Sequence, residues 1–128
     1  MKKILVIDDE ATLRGLVKKK LIGEGYLVET AKDGKEGLEK MKMSKPDLIL
    51  LDIIMPNMGG FELLEVMNGR DDLSEIPVVI VSNSGQPVEI DKAKKMGVKD
   101  WIVKTEFDPG EVVKKVVSQI GKPEKNNK

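Results

Sequence analysis

The stretch MKKILVIDDE, residues 1–10, poses the question on which the fold of this 128-residue chain turns. Four consecutive apolar residues, 4–7, run directly into three carboxylates, Asp8, Asp9 and Glu10. Such a cluster is costly: two unit charges about 4 Å apart repel by roughly 4 kcal/mol at an effective dielectric near 20. Either the acids form a solvated turn, or something cationic sits among them. The apolar run itself does not alternate with polar residues. That pattern suits a strand covered on both faces, as in a parallel sheet.

The same pattern recurs along the chain. Residues 48–51 (LILL) and 78–81 (VVIV) are continuously apolar, 101–103 (WIV) is a shorter run, and 26–30 (YLVET) is a weaker fifth. Helical spacing fills the intervals. Leu13, Leu16, Val17 and Leu21 form one stripe, followed by Gly23 and Gly25 as stop signals. Asp33 and Glu36 have capping-box spacing ahead of Leu38 and Met41. Phe61, Leu64 and Met67 precede Gly69, and Pro87 suits the first position of a helix that Gly97 could end. Val112, Val113, Val116, Val117 and Ile120 make the last stripe, ending at Gly121. Strand and helix thus alternate five times, which predicts crossover connections and a doubly wound α/β fold, (βα)5, with a parallel sheet between helices. Residues 1–121 are expected to form one domain, and 122–128 (KPEKNNK) a polar, disordered tail.

Composition excludes several classes. Acidic and basic residues balance at 22 each, so no net field draws the chain to nucleic acid or anionic lipid. With no cysteine there is neither a disulfide nor a thiolate metal site; with no histidine the usual zinc ligand and general base are gone. No apolar stretch approaches the roughly 20 residues that span a bilayer, and no secretory signal opens the chain, so a cytoplasmic location is expected. The aromatics are Tyr26, Phe61, Trp101 and Phe107, too few for a groove that stacks nucleobases.

The ends of the apolar runs carry the chemistry. The first ends in Asp8-Asp9, the second in Asp52, the run at 78–81 in Ser82, and the last in Lys104. In a parallel sheet these ends share one edge, where open α/β sheets bind their ligands. Carboxylate oxygens suit a hard cation such as Mg²⁺, and one carboxylate could then attack phosphorus to form an aspartyl phosphate. An ammonium and a hydroxyl could neutralise the equatorial oxygens. Singly, each residue has a plainer reading: Asp9 as a helix cap, Lys104 as a solvated lysine. Met55, Met58 and the other methionines read as packing, and residues 18–20 (KKK) as a solvated helix face.

Four spaced motifs, IDDE at 7–10, LLDIIMPNMGG at 50–60, VSNSG at 81–85 and KDWIVK at 99–104, resemble those of response-regulator receiver domains of two-component signalling, over residues 2 to 121. The resemblance implies a flavodoxin-like sheet in the order 2-1-3-4-5. It implies Asp52 as phosphoacceptor, Asp9 as a direct Mg²⁺ ligand, Asp8 acting through metal-bound water, and the Ile54 carbonyl completing the protein ligands. Ser82 and Lys104 would each meet a phosphoryl oxygen. Trp101 matches an aromatic that turns inward when Ser82 moves toward the phosphoryl group, changing the face made by the fourth helix, fifth strand and fifth helix. The implied partners are a sensor histidine kinase or a histidine phosphotransfer protein, and a downstream protein target. A monomer is expected, with dimerisation on phosphorylation through that same face, and with no direct nucleic-acid or membrane binding.

Three positions depart from the family's pattern. Thr105 stands where proline usually follows the lysine; a cis bond before a non-proline residue costs roughly 2.5–4 kcal/mol, so a trans bond is expected. Asn83 occupies a position that is usually small. Ile54, two residues after Asp52, is apolar and cannot orient an attacking water, so slow self-dephosphorylation is expected. Two rival functions remain. A phosphorylation-independent protein-interaction module has no need of the intact acidic set. A hydrolase of the haloacid-dehalogenase type places a second Asp where this chain has Ile54. The chain is expected to be a signalling switch, not a metabolic enzyme, and a single-domain regulator similar to chemotaxis receivers.

Overall fold

The computed structural model describes residues 2–106 and 108–123. Five strands and five α-helices alternate: β1 (Lys3–Ile7), α1 (Ala11–Glu24), β2 (Leu27–Ala31), α2 (Gly34–Met43), β3 (Leu48–Leu51), α3 (Gly60–Asn68), β4 (Val78–Ser82), α4 (Pro87–Lys95), β5 (Asp100–Val103) and α5 (Pro109–Ile120). A 3₁₀ turn, Lys104–Glu106, follows β5. The strands form one parallel sheet in the order β2-β1-β3-β4-β5, the order expected from the resemblance.

The continuous apolar runs are explained by what covers each face. Along β1, Ile4 and Val6 pack against Val17 and Leu21 of α1 and Val112 and Val116 of α5, whereas Leu5 and Ile7 pack with Met41 of α2 and Leu63, Leu64 and Met67 of α3. β3 and β4 alternate in the same way, with Leu48, Leu50, Val79 and Val81 on the first side and Ile49, Leu51, Val78 and Ile80 on the second. Because both sides are dry, neither set of alternate residues can be polar.

The boundaries follow local chemistry. Gly25 adopts φ 110° and ends α1, its N–H bonding back to Leu21 and Ile22 carbonyls. Leu16 does not belong to the buried stripe: it is 51% exposed, since Leu13, Val17 and Leu21 repeat every four residues and Leu16 lies a further 100° around the helix. Gly23 is an internal residue of α1 and not its stop. β2 begins one residue later than the sequence suggests, because Tyr26 is buried beneath α5 and donates its hydroxyl to the Gly121 carbonyl (2.7 Å). Asp33 caps α2 as its spacing predicts, accepting from Glu36 N–H at 2.8 Å, while the Glu36 carboxylate accepts from Lys32 N–H. Pro87 stands at the first turn of α4.

The Lys104–Thr105 bond is trans, as is every peptide bond among the described residues. Of the expected tail, Lys122 and Pro123 are described, and the Lys122 carbonyl accepts from Lys2 Nζ at 2.7 Å; residues 124–128 lie outside the described residues. Among the described residues no helix is long and apolar enough to cross a membrane.

Candidate functional site

Parallel registration brings the expected residues to one edge. Ile7 pairs with Leu51, so Asp8 and Asp52 leave adjacent strands side by side. Ser82 pairs with Val103, which delivers Lys104 to the next position. The loops begin with the backbone already engaged: Asp52 N–H donates to the Ile7 carbonyl (2.9 Å), and Asp8 N–H to the Ala31 carbonyl (3.0 Å).

Lys104 is the centre of the cluster. Its Nζ lies 3.0 Å from Asp8 Oδ2, 3.1 Å from Asp52 Oδ2 and 3.5 Å from Glu10 Oε1. Asp8 Oδ1 also accepts from Glu10 N–H (2.8 Å), and Asp52 Oδ1 from Ile53 N–H (2.8 Å). Asp8 and Asp52 are buried, whereas Asp9 is exposed. One carboxylate oxygen from each of Asp8, Asp9 and Asp52 lies within 4.8 Å of the others. Ser82 is buried at the next strand end and stands apart from the ion pairs, its Oγ accepting from Ser84 N–H at 3.3 Å. Trp101 is half-buried and donates its indole N–H to the Ser84 carbonyl (2.7 Å). Ile54 projects into solvent, 77% exposed.

The electrostatics follow from burial with incomplete neutralisation. Burial, with Asp8 beside it, pushes the Asp52 carboxyl up to about 6, although Lys104 and the Ile53 N–H pull the other way. Burial likewise raises the Asp8 carboxyl above the ordinary carboxylate range. Burial disfavours the Lys104 ammonium, but its bonds to Asp8 and Asp52 outweigh that and leave its pKa above the usual lysine value. One ammonium shared among three carboxylates leaves net negative charge in a buried place.

Two partners escaped sequence reasoning. Glu10 reaches Lys104, and Arg14, one turn into α1, donates to the Asp8 carbonyl at 2.7 Å. A capping position hid the first, and a helical surface position hid the second. The acidic run itself was the signal for Glu10.

A five-stranded parallel sheet in the order 2-1-3-4-5, with acids and a lysine at its carboxyl edge, is a flavodoxin-like α/β architecture. The chain belongs to the response regulator receiver domain family, which its residues 4–117 match. It is 37% identical over 113 residues to the chemotaxis protein CheY of Thermotoga maritima, covering 88% of this chain and 92% of that one. It is 33% identical over 123 residues to the alkaline phosphatase synthesis transcriptional regulatory protein PhoP of Bacillus subtilis, covering 96% of this chain and 50% of that one. The chain spans about half the length of several curated relatives it matches, among them a probable transcriptional regulator, ycf27, of Cyanophora paradoxa. Among solved structures it is similar to the Vibrio cholerae chemotaxis protein CheY4, with a TM-score of 0.87 and 32% identity, covering 93% of this chain and 98% of that one. A receiver domain protein of Methanospirillum hungatei gives a TM-score of 0.86 at 28% identity, covering 94% of each chain.

Proposed function

We propose that this chain is the phosphoacceptor of a two-component phosphorelay, with residues 1–121 as its receiver domain and Asp52 as the residue that is phosphorylated. The observation that carries this reading is the convergence of Asp8, Asp9 and Asp52 with Lys104 bridging the two buried ones. A structural module would not need to bury uncompensated charge at that edge.

The donor set fits Mg²⁺. Three hard oxygen ligands approach one another, and the raised Asp8 and Asp52 carboxyls mark charge that one ammonium does not neutralise. Asp9, Asp52 and the Ile54 carbonyl would hold the ion, with Asp8 holding it through water; when bound, it would supply neutralisation of phosphoryl oxygens. The chain's own residues do the rest. Asp52 Oδ forms the bond to phosphorus as the P–N bond of the donor phosphohistidine breaks. The electron pair leaves with the imidazole nitrogen, which takes up a proton from water. Lys104 exchanges part of its hold on Asp8 and Asp52 for a phosphoryl oxygen, and Ser82, freed from Ser84 N–H, hydrogen-bonds another. Because Ser84 also holds the Trp101 indole, movement of Ser82 would be felt at β5. The face formed by α4, β5 and α5 would then change partners, in a cytoplasmic setting, as the switch output. Donors of the phosphoryl group would be a sensor histidine kinase or a histidine phosphotransfer protein, and the output would be a downstream protein.

Incubation with acetyl phosphate tests the reading. With Mg²⁺ the intact mass should rise by one phosphoryl group. Without Mg²⁺, or in Asp52→Ala, it should not. Equal labelling of Asp52→Ala would defeat the assignment and favour another acceptor.

A further inference from the structure

A third buried aspartate lies at the same sheet edge, outside the acidic cluster. Asp33 is 3% exposed. One of its oxygens caps α2 through Glu36 N–H (2.8 Å). The other accepts from the side-chain amide of Asn57 at 2.7 Å. The two residues belong to different loops: Asp33 to the connection after β2, Asn57 to the connection after β3, which begins at Asp52. A backbone bond runs parallel to this bridge, from Gly34 N–H to the Met58 carbonyl (2.9 Å). The approach is so close that a Cβ on Gly34 would lie 2.6 Å from the Met58 carbonyl oxygen.

Asn57 is the one non-glycine residue with positive φ, 66°, among those described. It is the middle of a three-residue turn closed by Met58 N–H to the Pro56 carbonyl (2.7 Å). Tight turns of this kind with positive φ are strained, and such strain persists only where the surroundings over-determine it. Here the over-determination is visible. Asn57 is tied to Asp33, Met58 to Gly34, and, at the other end of the loop, the Ile53 carbonyl to Gly60 N–H (2.8 Å). Ile54 lies between these fixed points. The Glu36 N–H, followed by the Asn57 amide, holds the Asp33 carboxyl below its ordinary range.

We propose that Asp33, acting through Asn57, is a positioning residue for the divalent-ion site: it holds the loop after β3 in the shape that presents the Ile54 carbonyl. This rests on the metal reading given above. Neither residue touches the acidic cluster, so the effect is on the order of the loop and not on charge at the ion. Mg²⁺ requires near-ideal octahedral geometry, whereas Ca²⁺ accepts irregular, flexible ligand sets. A loosened carbonyl should therefore penalise Mg²⁺ more than Ca²⁺.

The test is titration calorimetry of the parent, Asn57→Gly and Asp33→Ser with MgCl₂ and, separately, CaCl₂. Glycine adopts φ 66° freely, so Asn57→Gly removes the bridge while relieving strain and leaving the α2 cap intact. Serine at position 33 keeps a capping oxygen but cannot also reach Asn57. Each variant should bind Mg²⁺ about tenfold more weakly, with a smaller loss for Ca²⁺, and the double variant should be no worse than either single. If Asp33→Ser loses helix α2, Asn57→Gly carries the test alone. Unchanged Mg²⁺ affinity in Asn57→Gly, or equal losses for both ions, would overturn the positioning role. A parent that binds no Mg²⁺ would overturn the metal reading itself, and this proposal with it.

Discussion

Asp52 and Asp33 are two aspartates of nearly equal exposure, 5% and 3%, on neighbouring loops of the same sheet edge, and the protein treats them in opposite ways. Asp33 is met by donors on both oxygens and has no carboxylate neighbour among its partners, so it stays ionised below the ordinary range. Asp52 receives one backbone N–H and a third of a lysine's attention, with Asp8 close by, and is pushed up to about 6. Each carboxylate has a donor on each oxygen, so donor number is not what separates them. At Asp52 desolvation and the neighbouring Asp8 charge outweigh the donors, whereas at Asp33 the donors outweigh desolvation. An acid whose donors win is an anchor; one beside a second buried carboxylate gains from a cation.

The largest expected effect is a stability difference of opposite sign. In metal-free protein the folded chain holds its Asp52 proton to about pH 6, while the unfolded chain releases it near the ordinary value of 3.8. Between those values the folded state binds more protons, so stability falls as pH rises, and the penalty is complete above pH 6. A displacement of this size is worth about 3 kcal/mol. Asp52→Asn should thus raise metal-free stability at pH 8 by up to about 3 kcal/mol, with the gain vanishing below pH 4. Urea unfolding at the two pH values measures it, and a destabilised Asp52→Asn at pH 8 would break the comparison.

Asp33→Ala should move the other way and by less. It removes a helix cap, worth about 1–2 kcal/mol, and leaves Asn57 without its partner. Since the Asp33 carboxyl is held low, its contribution is present above the ordinary carboxylate value and is lost as pH falls through its lower folded value. The same unfolding experiment at pH 8 should show the loss. A neutral Asp33→Ala would mean that its two hydrogen bonds are no better than those to water.

The contrast also marks what the residues alone could disclose. The sheet was legible because three runs, 4–7, 48–51 and 78–81, are apolar on every residue, a pattern that only a doubly covered strand requires. Asp8, Asp9, Asp52, Ser82 and Lys104 were legible because each terminates such a run, and in-register parallel pairing then leaves them no choice of edge. Asp33 was legible as a cap because capping is local. Its second bond was not, since that depends on Asn57 adopting a left-handed backbone in a separate loop. Lys104 reaching Asp8 and Glu10 as well as Asp52 was likewise hidden, because side-chain length lets one ammonium choose among several acids. Leu16 was misplaced because it lies on the opposite side of Leu13 from Val17 and Leu21, whose successive four-residue steps carry the buried stripe away from it.

The smallest expected effect concerns how long Asp52, phosphorylated as proposed, keeps its phosphoryl group. Ile54, two residues after Asp52 in the same loop, has its side chain largely in solvent. Water can therefore approach the edge, but the group it passes offers no hydrogen bond with which to orient it. Placing an amide there should convert passage into alignment: Ile54→Asn should shorten the phosphoryl lifetime by roughly tenfold, equivalent to about 1.4 kcal/mol of barrier. The measurement is decay of the phosphorylated mass after removal of acetyl phosphate, in excess Mg²⁺, for parent and variant. Decay of the parent within seconds, or an unaltered rate in Ile54→Asn, would show that hydrolysis is limited by Lys104 and the metal and not by the side chain at the rim.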